Sequence, residues 1–309
     1  MNSQRREFLF VVILAMAAAT PTLAQTPVPS ATTSRAQNSA SVPDFSGIWA
    51  HPMLGFEPPV SGPGPVRNLS RTRAGASDFN SLVGDYKNPI LQPWAAEVVK
   101  KFGEISLSGK AFPDPDNQCL LQPVPYIFWN FEIQMLQLPG RVIIVYPHDQ
   151  DFRQVRLNQP HPAKVAPTAH GDSVGHYEGD TLVVDTVGYK LGPAPIVDLF
   201  GSPFSEGLHV TERYRLIPYE AAREAQQRNV RDAGPVATEQ AATIDESYKG
   251  KGLQVQFTVE DKNVFNTPWS GAATFRRAAS WVENVCAENT HEYYAAKDTD
   301  VPRADKPDF

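Results

Sequence analysis

Apolar and polar residues alternate in short segments along most of this chain. The clearest example is the run from Leu253 to Val259, in which every second residue is apolar and those between are Gln or Thr. Alternation with a period of two places one set of side chains on each face of a β-strand. Turn residues separate the segments, so the pattern favours antiparallel strands over βαβ units.

Strands are predicted at residues 45–50, 129–135, 141–146, 152–157, 173–178, 181–187, 208–216, 253–259 and 270–278. So many strands have to hide their edges, either in a closed barrel or in a two-sheet sandwich. We therefore predict a mainly β fold, an antiparallel barrel that is closed or nearly closed, with a β-sandwich as the alternative.

Two helices interrupt the strand pattern. One is predicted from Pro93 to Phe102, with Trp94, Val98 and Phe102 on one face, and the other from Tyr219 to about Arg231. The second has Ala, Glu, Gln and Arg nearly all round, which predicts a surface excursion. Long proline-rich segments at 52–65 and 193–203 are expected to be ordered loops.

The N-terminus has the pattern of an export signal. A basic start precedes an apolar run from Phe8 to Ala19, and Thr22-Leu23-Ala24 offers a cleavage site, so residues 1–24 are predicted to be a signal peptide. Arg5-Arg6 matches a twin-arginine motif. Residues 25–43 are rich in Ser, Thr, Ala and Pro, which predicts a disordered tether. A barrel domain over 44–290 and a tail over 291–309 complete the expected organisation of a periplasmic or secreted protein.

The net charge of the chain bears on which classes of partner it can bind. The formal net charge is −6, and losing Arg5, Arg6 and Glu7 with the leader makes the mature chain one unit more negative. Nucleic acids and anionic membranes attract basic surfaces, so neither is an expected partner. No later segment is apolar over the length of a membrane span.

The chain has two cysteines, Cys119 and Cys286. An exported protein meets an oxidising compartment, so a disulfide between them is predicted, with two buried free thiols as the alternative. No cofactor motif and no catalytic metal motif is present: the histidines match no ligand spacing, and P-loop, GxGxxG, GxSxG and CxxCH sequences are lacking. We therefore expect no cofactor.

A two-residue turn at Gly179-Asp180 predicts a hairpin that pairs Glu178 with Thr181. That register puts His176 and Asp185 on one face as diagonal neighbours. A carboxylate near an imidazole favours its protonated form, which suits acid/base catalysis, whereas the simpler interpretation is a solvated face.

Two ions interrupt apolar strand faces. Glu212 lies among Val210, Tyr214 and their apolar neighbours, and Arg153 shares a face with Val155. Desolvating a lone charge costs several kcal/mol, so both ions need partners, which each can supply to the other. One possibility is a structural ion pair or a strand end open to water. The other is that both line a cavity, in which Arg153 anchors an anionic or carbonyl group of a ligand and Glu212 acts as a base or hydrogen-bond acceptor.

The segments PDFSGIW, PHDQDFRQVRLNQPHP, SVGHYEGDTLVVDT, FSEGLHVTERYR and VEDKNVFNTPW resemble, in this order, a large family of exported, β-rich bacterial proteins. By that resemblance Asp198, Ser205, Glu206 and His209 match an Asp, an HSE-type run and a His before the TERY strand. Phe204 stands where the family has His. The triplet Gly47-Ile48-Trp49 is also similar to the Gly-x-Trp start of lipocalin-type barrels.

The sequence is compatible with three functions. The first is binding of a small, partly apolar organic molecule in a barrel cavity, with Arg153, Asp198 and Glu206 as ligand-binding candidates. The second is metal-free acid/base catalysis in that cavity, as a lyase, isomerase or hydrolase. Its candidate catalytic residues are Glu212, His176, Asp185 and His209. The third is a structural role in the cell envelope, for which an exposed apolar patch is expected.

Overall fold

The computed structural model describes residues 42–51, 55–129, 132–147, 151–233, 244–280 and 298–299. In chain order the elements are β1 (Gly47–Ala50), α1 (Pro93–Leu107), β2 (Lys110–Ala111), a 3-10 helix (Tyr126–Trp129), β3 (Glu132–Leu138), β4 (Arg141–Tyr146), β5 (Asp151–Leu157), β6 (Asp172–Glu178), β7 (Thr181–Val187), β8 (His209–Ile217), α2 (Tyr219–Ala233), β9 (Gly252–Glu260), β10 (Trp269–Arg277) and β11 (Asp298–Thr299). None of the described helices is long and apolar enough to cross a membrane.

Nine strands close into one barrel in the order β1-β10-β9-β8-β7-β6-β5-β4-β3, and β1 pairs with β3 to complete the ring. The predicted mainly β barrel with two helices is confirmed. One pairing departs from the antiparallel expectation, because β5 and β6 run parallel, with Val155 opposite Ser173. Residues 158–171 therefore have to return the chain to the end at which β5 began.

Period-two alternation builds the interior of the barrel. The inward positions of seven strands carry a row of buried apolar side chains, which merge into one hydrophobic cluster. These inward residues are Ile133, Met135, Val142, Ile144, Val155, Leu182, Val184, Val210, Leu253, Val255, Phe257, Val259, Ala273 and Phe275. The predicted hairpin register is confirmed, since Glu178 pairs with Thr181 and His176 with Val183.

Helix α1 buries a different stripe from the predicted one. Ala95, Val99 and Phe102 are buried, whereas 49% of Trp94 is exposed. The buried positions follow i, i+4 and i+7 spacing. Trp94 lies beside this stripe, and its indole N–H donates to the carbonyl of Asn263 at 2.9 Å. An amphipathic ring with a bonded N–H tolerates such an edge position.

Helix α2 packs on β9 and β10 instead of standing off the surface. Its buried residues are Ala222, Ala225 and Gln226. A Cβ added to Gly252 would lie 2.4 Å from the Cβ of Ala222, so both small residues are needed for this close approach. The alanines at helical spacing in the sequence indicate this contact. The charged residues around them made the helix look exposed on all sides.

The seam between β1 and β10 is completed by two other segments. β1 pairs with β10 only through Trp49 and Ala50. Beyond that point the carboxamide of Gln226 donates to the carbonyl oxygens of Ala50 at 3.2 Å and Thr274 at 3.1 Å. Glu57 then exchanges two backbone hydrogen bonds with Ala272, at 2.8 and 3.0 Å. The residues around Glu57 and the helix α2 thus meet at one side of the barrel.

Residues 1–41 and Cys286 lie outside the described residues. The signal peptide, the twin-arginine route, the tether and the Cys119–Cys286 disulfide therefore stay predictions.

Candidate functional site

Arg153 and Glu212 form an ion pair inside the barrel. The two terminal nitrogens of Arg153 each lie 2.6 Å from one carboxylate oxygen of Glu212, and both side chains are almost fully buried. The Tyr214 hydroxyl adds a bond of 2.5 Å to the same carboxylate. A bidentate pair satisfies both charges where water is excluded. Both terminal nitrogens of the Arg153 guanidinium are thus already bonded to Glu212.

The side chains that contact this pair are polar but uncharged. Ser173 and Thr186 lie 3.5 and 3.4 Å from the guanidinium. Burial, with the nearby Glu212 carboxylate, raises the pKa of the Tyr189 and Tyr214 hydroxyls well above their ordinary value. These hydroxyls stay neutral at physiological pH. A second buried pair lies on the same strand face as Arg153, where Asp151 contacts Nε2 of His170.

A chain of acids and histidines lies on the outer face of the barrel. Nδ1 of His161 lies 2.6 Å from a carboxylate oxygen of Asp172, and Nε2 lies 2.8 Å from one of Asp185. Asp185 also contacts Nε2 of His209 at 2.5 Å. We call Asp172, His161, Asp185 and His209 the outer-face chain.

Within the outer-face chain, Asp185 and His209 are stabilised in their charged forms. The hydrogen bond from His209 is the largest cause that lowers the pKa of Asp185, to about 2, and His161 adds to it. The bond to Asp185 in turn raises the pKa of His209, against partial desolvation. Asp185 and His209 are therefore brought together as acid and base, although on the outside of the barrel and apart from Glu212.

The other predicted residues lie elsewhere. His176 is exposed and contacts Glu178 at 3.0 Å, and Arg213 contacts the same carboxylate. Asp198 is buried and accepts the backbone N–H groups of Phe200 at 2.9 Å and Ser202 at 3.1 Å, which fixes a turn. Its burial raises its pKa to about 6. Glu206 is exposed.

A cavity of about 490 Å³ opens between residues 55–79 and helix α2, and we call it the α2 cavity. Its size is typical of sites for small organic molecules. The lining comprises Gly55, Phe56, Glu57, Pro58, Pro65, Val66, Arg67, Asn68, Arg71, Gly75, Ser77, Phe79, Trp129, Phe200, Ala225, Arg228, Asn229, Arg231 and Asp232.

Four aromatic rings form the apolar part of the α2 cavity. Phe56 lies 4.8 Å from Trp129 between ring centroids, and Phe79 and Phe200 approach the same indole at 6.3 and 5.8 Å. Trp129 is 4% exposed, and its N–H has no hydrogen-bond acceptor among the described residues. A buried indole N–H usually has an acceptor. The described residues thus leave a buried N–H without an acceptor on a ring that belongs to the cavity lining.

Helix α2 forms the polar wall of the α2 cavity. Ala225, Arg228, Asn229 and Asp232 follow i, i+3, i+4 and i+7 spacing, which places them on one face. Hydrogen bonds from Asn229 to the Gly55 carbonyl at 3.2 Å and from the Ser77 N–H to the Asp232 carbonyl at 3.0 Å hold the loop against this face. The wall is thus built from two segments that are distant in sequence.

Sequence reasoning did not identify the α2 cavity. The helical spacing on α2 was visible, but its partner is a proline-rich loop with no periodicity from which contacts could be derived. Among the residues that the structure describes, no group of three or more His, Cys, Asp or Glu side chains could hold a metal ion.

Comparisons with known proteins gave no match: no protein-family model, no curated protein and no solved structure matches this chain.

Proposed function

We propose that this chain is an exported, periplasmic or secreted protein that binds a small, partly apolar organic molecule in the α2 cavity. The observation that carries the proposal is a cavity of about 490 Å³ lined by aromatic rings, one of them a buried indole whose N–H has no acceptor among the described residues. Aromatic side chains supply apolar contact, and a few polar groups around them supply orientation, as in most small-molecule sites.

The α2 cavity suits this role better than the surroundings of Arg153. The Arg153 guanidinium is bound by both oxygens of Glu212, so a ligand there would have to displace a buried carboxylate. Removing one partner of a buried pair costs about 3 to 5 kcal/mol. The donor of Trp129, by contrast, has no partner to give up within the described residues.

The test is a thermal-shift screen of the mature protein with small organic molecules, followed by calorimetry of the hits. Ligands that bind the folded state raise the melting temperature. Trp129→Phe, which keeps a ring but loses the N–H, should weaken binding about two- to tenfold, since such a hydrogen bond contributes about 0.5 to 1.5 kcal/mol. Trp94→Phe is the matched control because its indole N–H is bonded to Asn263, away from the cavity lining. Hits that bind Trp129→Phe as tightly as the parent would overturn this placement.

A second candidate function is metal-free acid/base catalysis. One observation favours it: Asp185 orients His209, the arrangement that activates an imidazole as a base. A substrate screen should then find a turnover that rises with pH through the pKa of His209 and is lost in His209→Gln. An activity that survives His209→Gln would exclude the outer-face chain from the chemistry.

A further inference from the structure

The α2 cavity carries a positive lining on a negative protein. Four arginines and two acids line it, Arg67, Arg71, Arg228 and Arg231 against Glu57 and Asp232, whereas the whole chain has a formal net charge of −6. Charge of one sign in a concave site concentrates ligands of the opposite sign. The lining therefore favours an anion, and this step rests on the proposed function.

The arginines of the cavity lining differ in how many hydrogen bonds and ion pairs they form with the rest of the protein. Arg71 donates to the carbonyl of Ser70 at 3.0 Å and to the Ser77 hydroxyl at 3.2 Å, so it holds the loop together. Arg67 and Arg231 form no ion pair with any described residue. These two guanidinium groups are open to an incoming anion.

Arg228 has a partner that it can exchange at small cost. Its ion pair with Glu224, at 2.9 Å, joins side chains that are 52% and 70% exposed, and Glu224 lies outside the cavity lining. Exposed pairs of this kind contribute about 0 to 1 kcal/mol. A carboxylate inside the cavity would sit in a less hydrated place, where its pairing with a guanidinium is stronger.

The rest of the lining selects the body of the ligand. The Phe56, Phe79, Trp129 and Phe200 rings offer faces and edges to a planar ring. The Trp129 N–H requires an acceptor. Glu57 and Asp232 belong to the same lining, so a singly charged group meets less repulsion than a phosphate dianion would.

We infer that the ligand of the α2 cavity is an aromatic carboxylate, with its ring against the four aromatic side chains and its carboxylate at Arg228. Arg228 is thus a specificity-determining residue that distinguishes charged from neutral molecules of the same shape.

Glu57 modulates this preference. Burial raises the pKa of Glu57, and Arg228 opposes the shift. Besides Arg228, the charged groups that share the cavity are Arg67, Arg71, Arg231 and Asp232. The ionised Glu57 carboxylate repels an anion in the same cavity, so anion binding should tighten as pH falls and Glu57 gains its proton. Glu57→Gln should bind the anion more tightly and with a flatter pH profile than the parent.

The experiment is calorimetry with matched compounds on the mature chain: 2-naphthoate, 2-naphthamide, cyclohexanecarboxylate and phenyl phosphate. Naphthoate is expected to bind at least tenfold more tightly than the amide, which has the same shape without the charge. Arg228→Gln should remove most of that difference. Arg223→Gln should keep it, because the Arg223–Glu220 pair has similar exposure, 49% and 71%, but lies outside the lining.

The outcomes separate the two claims. Equal binding of naphthoate and naphthamide, both weakened by Trp129→Phe, would overturn the anion inference and leave the proposed function standing. Tighter binding of phenyl phosphate or cyclohexanecarboxylate than of naphthoate would overturn the aromatic carboxylate class. No binding of any of the four, together with no hit in the screen, would overturn both claims.

Discussion

Arginine occupies two contrasting places in this molecule. Inside the barrel, Arg153 is 2% exposed and bonded by both terminal nitrogens to Glu212. In the α2 cavity, Arg228 is half exposed and paired with a surface glutamate, and Arg67 and Arg231 have no ion pair among the described residues. The same guanidinium group is satisfied by the fold in one place and only loosely engaged in the other.

This difference separates a structural role from a binding role. A charge buried inside the barrel has to be paired before the chain can fold, because desolvation of a lone ion costs several kcal/mol. A charge at the wall of an open cavity keeps water as a partner and can exchange it for a ligand. The interior pair should therefore govern stability and the cavity arginines should govern affinity.

The largest effect is expected from breaking the interior pair. Arg153→Met leaves Glu212 buried without its counter-ion and should lower the free energy of unfolding by about 3 to 5 kcal/mol. Arg153→Met with Glu212→Leu removes both charges and should recover most of that loss. Denaturant unfolding monitored by circular dichroism gives both values. A single variant within 1 kcal/mol of the parent would mean that water reaches the pair.

Pushing α2 away from the barrel should have the next largest effect. Gly252→Ala places a Cβ 2.4 Å from Ala222 and 2.8 Å from the carbonyl of Phe275. Overpacking of this kind costs about 1 to 3 kcal/mol. Because α2 forms a wall of the cavity, ligand affinity should fall as well. Gly192→Ala is the control, since nothing lies within 4 Å of the added Cβ. An unchanged affinity in Gly252→Ala would separate the helix contact from the site.

The outer-face chain should make stability depend on pH. The pKa of Asp185 is lowered to about 2, so its contribution is present above its unfolded pKa and disappears as pH falls through 2. The pKa of His209 is raised, so its contribution is present below its unfolded pKa of about 6.5 and disappears as pH rises through the folded value.

Together these two groups stabilise the fold most between about pH 4 and 6.5. Both side chains are more than a third exposed, so after screening the gain is roughly 1 kcal/mol. Asp185→Asn should flatten this maximum in unfolding measured from pH 3 to 8, with the exposed Asp180→Asn as control. A maximum that persists in Asp185→Asn would assign it to other groups.

The smallest stability effect is expected from the cavity arginine. Arg228→Gln breaks a pair between half-exposed and exposed side chains and should change the free energy of unfolding by no more than about 0.5 kcal/mol. Arg223→Gln should behave alike in stability, while the two differ in ligand affinity. A loss above 2 kcal/mol in Arg228→Gln would contradict the division between structural and binding arginines.

Much of the fold followed from local pattern. β4 and β7 begin and end at the predicted residues. The bounds of the other barrel strands and of the two helices lie within about five residues of the predicted bounds. Each of these predictions used a period or a turn that is complete within one segment. The parallel pairing of β5 and β6 did not follow, because no local pattern states which way a returning segment runs.

The predicted site residues divide in the same way. That Arg153 and Glu212 would each need a partner followed from an ion on an apolar strand face. His209 reaches Asp185 across the pairing of β7 with β8. That His161 would contact both Asp172 and Asp185 depended on the path of residues 158–171, and alternation says nothing about such a loop.

Local pattern specifies the alternating strands and the ion on two of their apolar faces, because side-chain periodicity and the cost of burying charge act within one segment. The position of the cavity depends instead on long-range packing. The α2 cavity joins a proline-rich loop to a helix about 150 residues away, and which surfaces fail to fill the space between them depends on the packing of the whole barrel.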